Sequence, residues 1–189
     1  MKPINIPNLL TLIRILLIPL IVFIFYLPIQ HAGMISAILF AVAGITDWFD
    51  GYLARRLNQT SSLGAFLDPV ADKLMVAVVL VMVVERFGSL WIALPAMIII
   101  GREITISALR EWMAQVGSSA KVKVSYLGKV KTTVQMFALF FLLYEEPLPL
   151  VGDFNRLFSG TTLGILLLVV AAVLTFWSML NYIQSAISE

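Results

Sequence analysis

The sequence predicts an all-α protein built as a bundle of six transmembrane helices, with a cavity opening to the cytoplasmic face. Three observations carry that expectation. Of the 189 residues, 60% are hydrophobic and only 13% are charged, a balance that no soluble globule of this size needs. The apolar residues come in blocks of about 15 to 20, each long enough as a helix to cross a hydrocarbon core of about 30 Å. The cations are also placed unevenly: Lys2, Arg14, Arg55, Arg56, Lys73, Arg102, Arg110, Lys121, Lys123, Lys129 and Lys131 fall on one side of such a bundle, and only Arg86 and Arg156 on the other. Both termini are therefore expected in the cytoplasm.

The first block, 9–27, follows Pro7-Asn8 and is closed by Pro28 and Gly33. It lacks the small-residue cleavage site of a secretory leader and is followed by further spans, so it is expected to be retained. The second, 34–49, runs into a polar stretch that begins at Asp47. The third, 70–84, starts behind Asp68-Pro69 and is parted from the fourth, 90–106, by the turn-forming pair Gly88-Ser89. A lysine-rich stretch leads into the fifth, 130–143, and Pro147, Pro149 and Gly152 separate it from the sixth, 163–179. Trp91, Trp112, Tyr126, Tyr144 and Tyr182 lie near span ends, where amphipathic rings anchor helices at the interface. No internal repeat divides the chain, so residues 1–189 read as a single integral membrane domain. The small-residue face over 160–164 could pack helices, within one chain or in a homodimer.

Composition also bounds the chemistry. The chain has no cysteine and one histidine, His31, which excludes thiolate and multi-histidine metal centres and leaves oxygen as the donor for any metal. A formal charge of +2 reflects membrane anchoring rather than nucleic-acid binding. Against that background Asp47, Asp50, Asp68, Asp72, Glu103 and Glu111 all fall at the cytoplasmic ends of spans, where each acid has to be paired, hydrated or bound to a cation. Asp47 and Asp50 are three apart, and Asp68 and Asp72 four apart, so on helices each pair projects from one face. Four such carboxylates cannot all stay ionised without neutralisation, and hard oxygens without His or Cys favour Mg²⁺ or Mn²⁺. Gly51, Ala54 and Gly64 leave gaps beside the acids through which a flat group such as a nucleobase could approach the backbone. Arg55 adds a guanidinium suited to a diphosphate.

The run Asp47-x2-Asp50-Gly51-x2-Ala54-Arg55-x8-Gly64-x3-Asp68-x3-Asp72 resembles, at every fixed position, the signature of the CDP-alcohol phosphatidyltransferases. The stretch from Pro7 to Arg14 is similar to that family's entry into its first span. Gly101-Arg102-Glu103, Ser107 through Glu111, and Leu127 through Thr132 resemble the branch that makes phosphatidylglycerophosphate. The resemblance implies an enzyme of the cell (inner) membrane that transfers the phosphatidyl group from CDP-diacylglycerol to sn-glycerol 3-phosphate and releases CMP, with a cytoplasmic active site. It implies Asp47, Asp50, Asp68 and Asp72 as ligands of two Mg²⁺ or Mn²⁺ ions, Asp72 also as the general base, and Gly51, Ala54, Arg55 and Gly64 as the CDP pocket. Whether Asp72 serves as base, ligand or both stays open.

For the acceptor phosphate the candidates are Thr11, Arg14, Arg110, Lys129 and Lys131, whereas Lys121 and Lys123 read as positive-inside anchors. Glu103 either neutralises Arg102 or joins the site. Other acceptors within the family, phosphatidylglycerol, serine or inositol phosphate, are the alternatives. A cation or proton transporter that relays through the aspartates is the rival from another class; it predicts acids near the bilayer midplane in two related halves, and these acids cluster at one edge instead.

Overall fold

The computed structural model describes residues 6–57, 62–115, 126–145 and 159–187, and within these the side chains of 6–8, 48–63, 65, 114, 126, 127, 129 and 185–187 lie outside the described part. Among the described residues all regular structure is helical: α1 (Ile6–Phe25), α2 (Ala32–Leu57), α3 (Ser62–Phe87), α4 (Leu90–Gln115), α5 (Tyr126–Tyr144) and α6 (Gly160–Ile187). Each of α2 to α6 contains one of the apolar blocks, and α1 holds the first as far as Phe25, two residues short of its expected end. At the aspartate end α2, α3 and α4 run about two turns beyond their apolar blocks, so the acids sit on continuous helix rather than on a loop. The extension of α2 ends in Tyr52-Leu53-Ala54-Arg55-Arg56-Leu57, mostly strong helix formers with no proline.

Two stretches, Leu90–Met113 and Gly160–Gln184, are long and apolar enough to cross a membrane; α1, α2 and α5 contribute the shorter apolar stretches Leu9–Phe25, Ala32–Asp47 and Val130–Tyr144. The outer surface is apolar too: Leu16, Phe23, Trp91, Leu94, Met97, Val173 and Trp177 are all exposed, a pattern suited to lipid contact.

Local chemistry sets the helix ends. Gly88 takes a left-handed φ of 55°, and its N–H donates to the Val84 carbonyl at 3.0 Å, closing α3 as glycine does. Ser89 then caps α4 by accepting the Trp91 N–H at 3.3 Å, and Ser159 caps α6 by accepting the Thr162 N–H at 3.1 Å.

The helices close into a ring in the order α1, α2, α5, α6, α4, α3, with α3 returning to α1 and also touching α5 across the middle. Its core is formed by Ile21, Phe40, Leu80, Ile92, Ile99, Leu139, Leu142 and Leu168, all buried. Close crossings need glycine. A Cβ on Gly33 would come within 2.6 Å of the Leu143 carbonyl oxygen, and one on Gly164 within 2.8 Å of Leu142 Cγ, so α5 is clasped between α2 and α6. The small-residue face around Gly164 is thus used inside the chain.

Candidate active site

α1 and α3 run side by side in the same direction, as two matched contacts show. Thr11 donates its hydroxyl proton to Asp68 Oδ1 at 2.6 Å, and one turn further along both helices Arg14 Nη1 donates to Asp72 Oδ1 at 2.6 Å. The same Arg14 nitrogen lies 2.7 Å from Asp47 Oδ1 on α2. One guanidinium therefore gathers acids from two other helices, and its own side chain is fully buried while Asp47 and Asp72 keep 42% and 45% of theirs exposed. The cation is buried beneath two carboxylates that keep contact with solvent. Gly64 is buried one turn before Asp68 on α3.

Three of the four signature aspartates thus converge, and Thr11 and Arg14 join them. Thr11 and Arg14, expected at the acceptor phosphate, here contact carboxylates, Thr11 that of Asp68 and Arg14 those of Asp47 and Asp72. Asp50, Gly51, Ala54 and Arg55 lie on α2, and their side chains fall outside the described residues, as does that of Lys129; Lys121 and Lys123 fall outside entirely.

A second buried charge cluster lies between α4 and α5. Glu103 Oε1 accepts from Arg102 Nη1 and from Lys131 Nζ, each at 2.9 Å. Lys131 is almost fully buried. Glu103 neutralises Arg102, as one of the two sequence readings has it, and neutralises Lys131 as well. Next to this cluster a cavity of about 460 Å³ opens between α3 and α4, with Val76, Ile99 and Ile100 on its walls and Lys73, Glu103, Ser107 and Glu111 as its polar groups. Lys73, the neighbour of Asp72, donates to the Ser107 hydroxyl there, and Ser107 in turn donates to the Glu103 carbonyl at 2.6 Å. Arg110 stands apart: its guanidinium carbon is 5.7 Å from the centroid of the Tyr182 ring on α6, a cation–π contact at an exposed position. Tyr182 accordingly receives a cation. Sequence reading left Lys73 and Gln135 unassigned; their signals were adjacency to Asp72 and a place one turn after Lys131 on the same helical face.

The opposite end of the ring differs. A cavity of about 540 Å³ lies there among Tyr26, His31, Arg86, Tyr144 and Glu145. Arg86 and Glu145 pair through two bonds of 2.9 and 3.1 Å, and the Glu145 carboxylate holds the exposed guanidinium above its ordinary pKa. Tyr26 donates to Glu85 at 2.9 Å. These are exposed pairs that fasten helix ends.

The donor set decides whether a divalent cation suits the aspartate end. Among the described residues no three acids or histidines stand close enough to form a ready cage. Asp47, Asp68 and Asp72, when ionised, nonetheless set three carboxylates against the single guanidinium of Arg14, leaving an excess of negative charge on hard oxygens. That excess suits Mg²⁺ or Mn²⁺.

Comparison with known proteins places the chain in a family. Residues 4–177 match the family model described as CDP-alcohol phosphatidyltransferase. A protein of Pectobacterium atrosepticum is 56% identical, one of Sodalis glossinidius 55%, and one of Salmonella choleraesuis 54%, each over 96% of this chain and 94% of the relative. All three carry the name CDP-diacylglycerol–glycerol-3-phosphate 3-phosphatidyltransferase. With nearly all of its length inside that match, and the signature acids drawn together by Arg14, this chain belongs to the CDP-alcohol phosphatidyltransferase family.

Proposed function

We propose that this protein transfers the phosphatidyl group of CDP-diacylglycerol to sn-glycerol 3-phosphate, yielding phosphatidylglycerophosphate and CMP. The observation that carries the reading is the near-full-length similarity to relatives bearing that enzyme's name, on a chain whose Asp47, Asp68 and Asp72 meet at one end of the helix ring. The setting proposed is the cell (inner) membrane, with all six helices spanning it and the aspartate end facing the cytoplasm, as the lysine and arginine bias supports. A lipid donor has acyl tails that must stay in hydrocarbon and a CDP head that must stay wet, so an acidic opening at the helix ends is the right depth for the chemistry.

In the mechanism proposed, the acceptor's primary hydroxyl oxygen attacks the phosphorus attached to diacylglycerol. The bond from that phosphorus to the oxygen of CMP breaks, and CMP leaves with the electron pair. Asp72, exposed over nearly half its side chain, takes the hydroxyl proton. Asp47, Asp50, Asp68 and Asp72 would hold two divalent ions, which when bound neutralise the diphosphate and polarise the phosphorus. Arg14 fixes the angle at which Asp47 and Asp72 face the opening, and Thr11 does the same for Asp68. Gly51, Ala54, Arg55 and Gly64 are assigned to the cytidine side. Lys131 and Arg102, with Arg110 nearer the surface and Lys129 from the same lysine-rich stretch, are assigned to the cationic side that takes the acceptor phosphate.

The test is CMP release by purified protein given CDP-diacylglycerol and, separately, glycerol 3-phosphate, serine, inositol phosphate and phosphatidylglycerol. Release with glycerol 3-phosphate alone is the expected result. Preference for an uncharged alcohol would overturn the acceptor assignment.

A further inference from the structure

The cluster between α4 and α5 is only half satisfied. Gln135 is 4% exposed, and among the described residues its buried amide oxygen has no hydrogen-bond donor and the buried Arg102 Nε no acceptor. Buried polar atoms are rarely left in that state, since each forfeits its bonds to water. Gln135 follows Lys131 by four residues on α5, which places both on the same face about 6 Å apart along the axis. Lys131 and Arg102 bring two positive charges to the single negative charge of Glu103.

Whatever completes this cluster therefore has to be anionic, has to accept from Arg102, and has to donate to Gln135 one turn further along. A bare phosphate ester with no hydroxyl meets only the first two demands, and a water molecule meets only the last two. A short hydroxyalkyl phosphate meets all three, with its phosphate at Arg102 and Lys131 and a hydroxyl a few bonds away. Glycerol 3-phosphate has two hydroxyls: one attacks the donor phosphorus, and the other, on the middle carbon, takes no part in bond making.

We infer that Gln135 is a specificity-determining residue whose amide oxygen accepts a hydrogen bond from the middle hydroxyl of the acceptor while Arg102 and Lys131 hold its phosphate. The inference rests on the proposed reaction and adds to it the reading of a group that the chemistry does not use. A site built to bond a hydroxyl discriminates strongly against the analogue that lacks it, because the protein group is then left buried and unpaired.

The experiment compares kcat/KM for glycerol 3-phosphate and for 3-hydroxypropyl phosphate, which lacks the middle hydroxyl, at saturating CDP-diacylglycerol. It uses the full-length protein, Gln135→Met, which keeps the side-chain length without the amide, and Gln135→Asn. The wild type should prefer glycerol 3-phosphate on the order of 10²-fold. Gln135→Met should bring the two acceptors to within about threefold by losing rate on glycerol 3-phosphate alone, and Gln135→Asn should fall between. Equal losses on both acceptors in Gln135→Met would reduce Gln135 to a packing residue and overturn the inference, as would a wild type that uses both acceptors alike. If Gln135→Met does not accumulate as folded protein, the wild-type ratio and the Gln135→Asn ratio decide. A wild type active with another alcohol but with neither phosphate would instead overturn the proposed reaction itself, and this inference with it.

Discussion

Two buried charge clusters lie inside one ring of helices, and their balance is opposite. At α1, α2 and α3 the single guanidinium of Arg14 faces Asp47 and Asp72, with Asp68 bonded beside it to Thr11. At α4 and α5 the single carboxylate of Glu103 faces Arg102 and Lys131. Each cluster is held together by a minority charge and leaves a majority charge over. The acidic excess keeps contact with water through Asp47 and Asp72, whereas the cationic excess lies on the more deeply buried Lys131 and Arg102. The acid-rich cluster suits a divalent cation carrying a diphosphate, and the cation-rich cluster suits an anion that no metal need carry. On the proposed function the two clusters would divide the two phosphate-bearing substrates between them.

The largest expected effect comes from cancelling the acidic excess. Asp47→Asn and Asp68→Asn should each lower CMP release by on the order of 10³-fold or more while leaving the helical circular-dichroism signal intact, since they remove charged ligands from a site of charge neutralisation. Excess chelator should abolish activity in the wild type, and Mg²⁺ or Mn²⁺ should restore it. Activity that survives chelation would remove the cation from the account.

Next comes the minority charge itself. Arg14→Ala leaves Asp47 and Asp72 facing each other without their shared partner, and the loss in unfolding free energy should be roughly 3 kcal/mol, the lower end for a broken buried pair, because both carboxylates keep contact with water. Arg14→Lys should recover only part of that, since an ammonium lacks the planar fork. Denaturant titration in detergent measures both. If Arg14→Ala unfolds like the wild type, the acids are not held from below.

A smaller, directional effect is expected at Gly64, buried one turn before Asp68. Gly64→Leu should raise the KM for CDP-diacylglycerol several-fold, more than the KM for glycerol 3-phosphate, because the proposed cytidine side is the one being filled. Equal shifts in both would place Gly64 in general packing.

Much of this was legible in the sequence. Apolar block length located all six helices, and the spacings Asp47/Asp50 and Asp68/Asp72 marked the acidic end. Composition could not reveal how far the helices continue past their apolar blocks, because the polar ends of α2 and α3 carry Gly51, Gly64 and Pro69, residues that read as loop yet lie on helix here. That Arg14 also pairs with Asp72 and Asp47 was not legible, because only the packing of α1 against α2 and α3 brings those acids to it. The pairing of Glu103 with Lys131 was hidden by their separation of 28 positions, and Gln135 by having no charge to draw attention.

The smallest effect should come at the far end of the ring. Arg86 is exposed and paired with Glu145, so Arg86→Gln should cost less than about 1 kcal/mol of stability and leave CMP release unchanged. A marked loss of activity there would mean that both ends of the ring take part in the reaction.

The division of labour between the two clusters is tested most directly by the KM of each substrate in Lys131→Ala. The account predicts that the KM for glycerol 3-phosphate rises at least about tenfold, as loss of a charge-assisted contact of roughly 1.5 to 3 kcal/mol requires, while the KM for CDP-diacylglycerol stays within about twofold of the wild type. A rise of equal size in both, or in CDP-diacylglycerol alone, would contradict it.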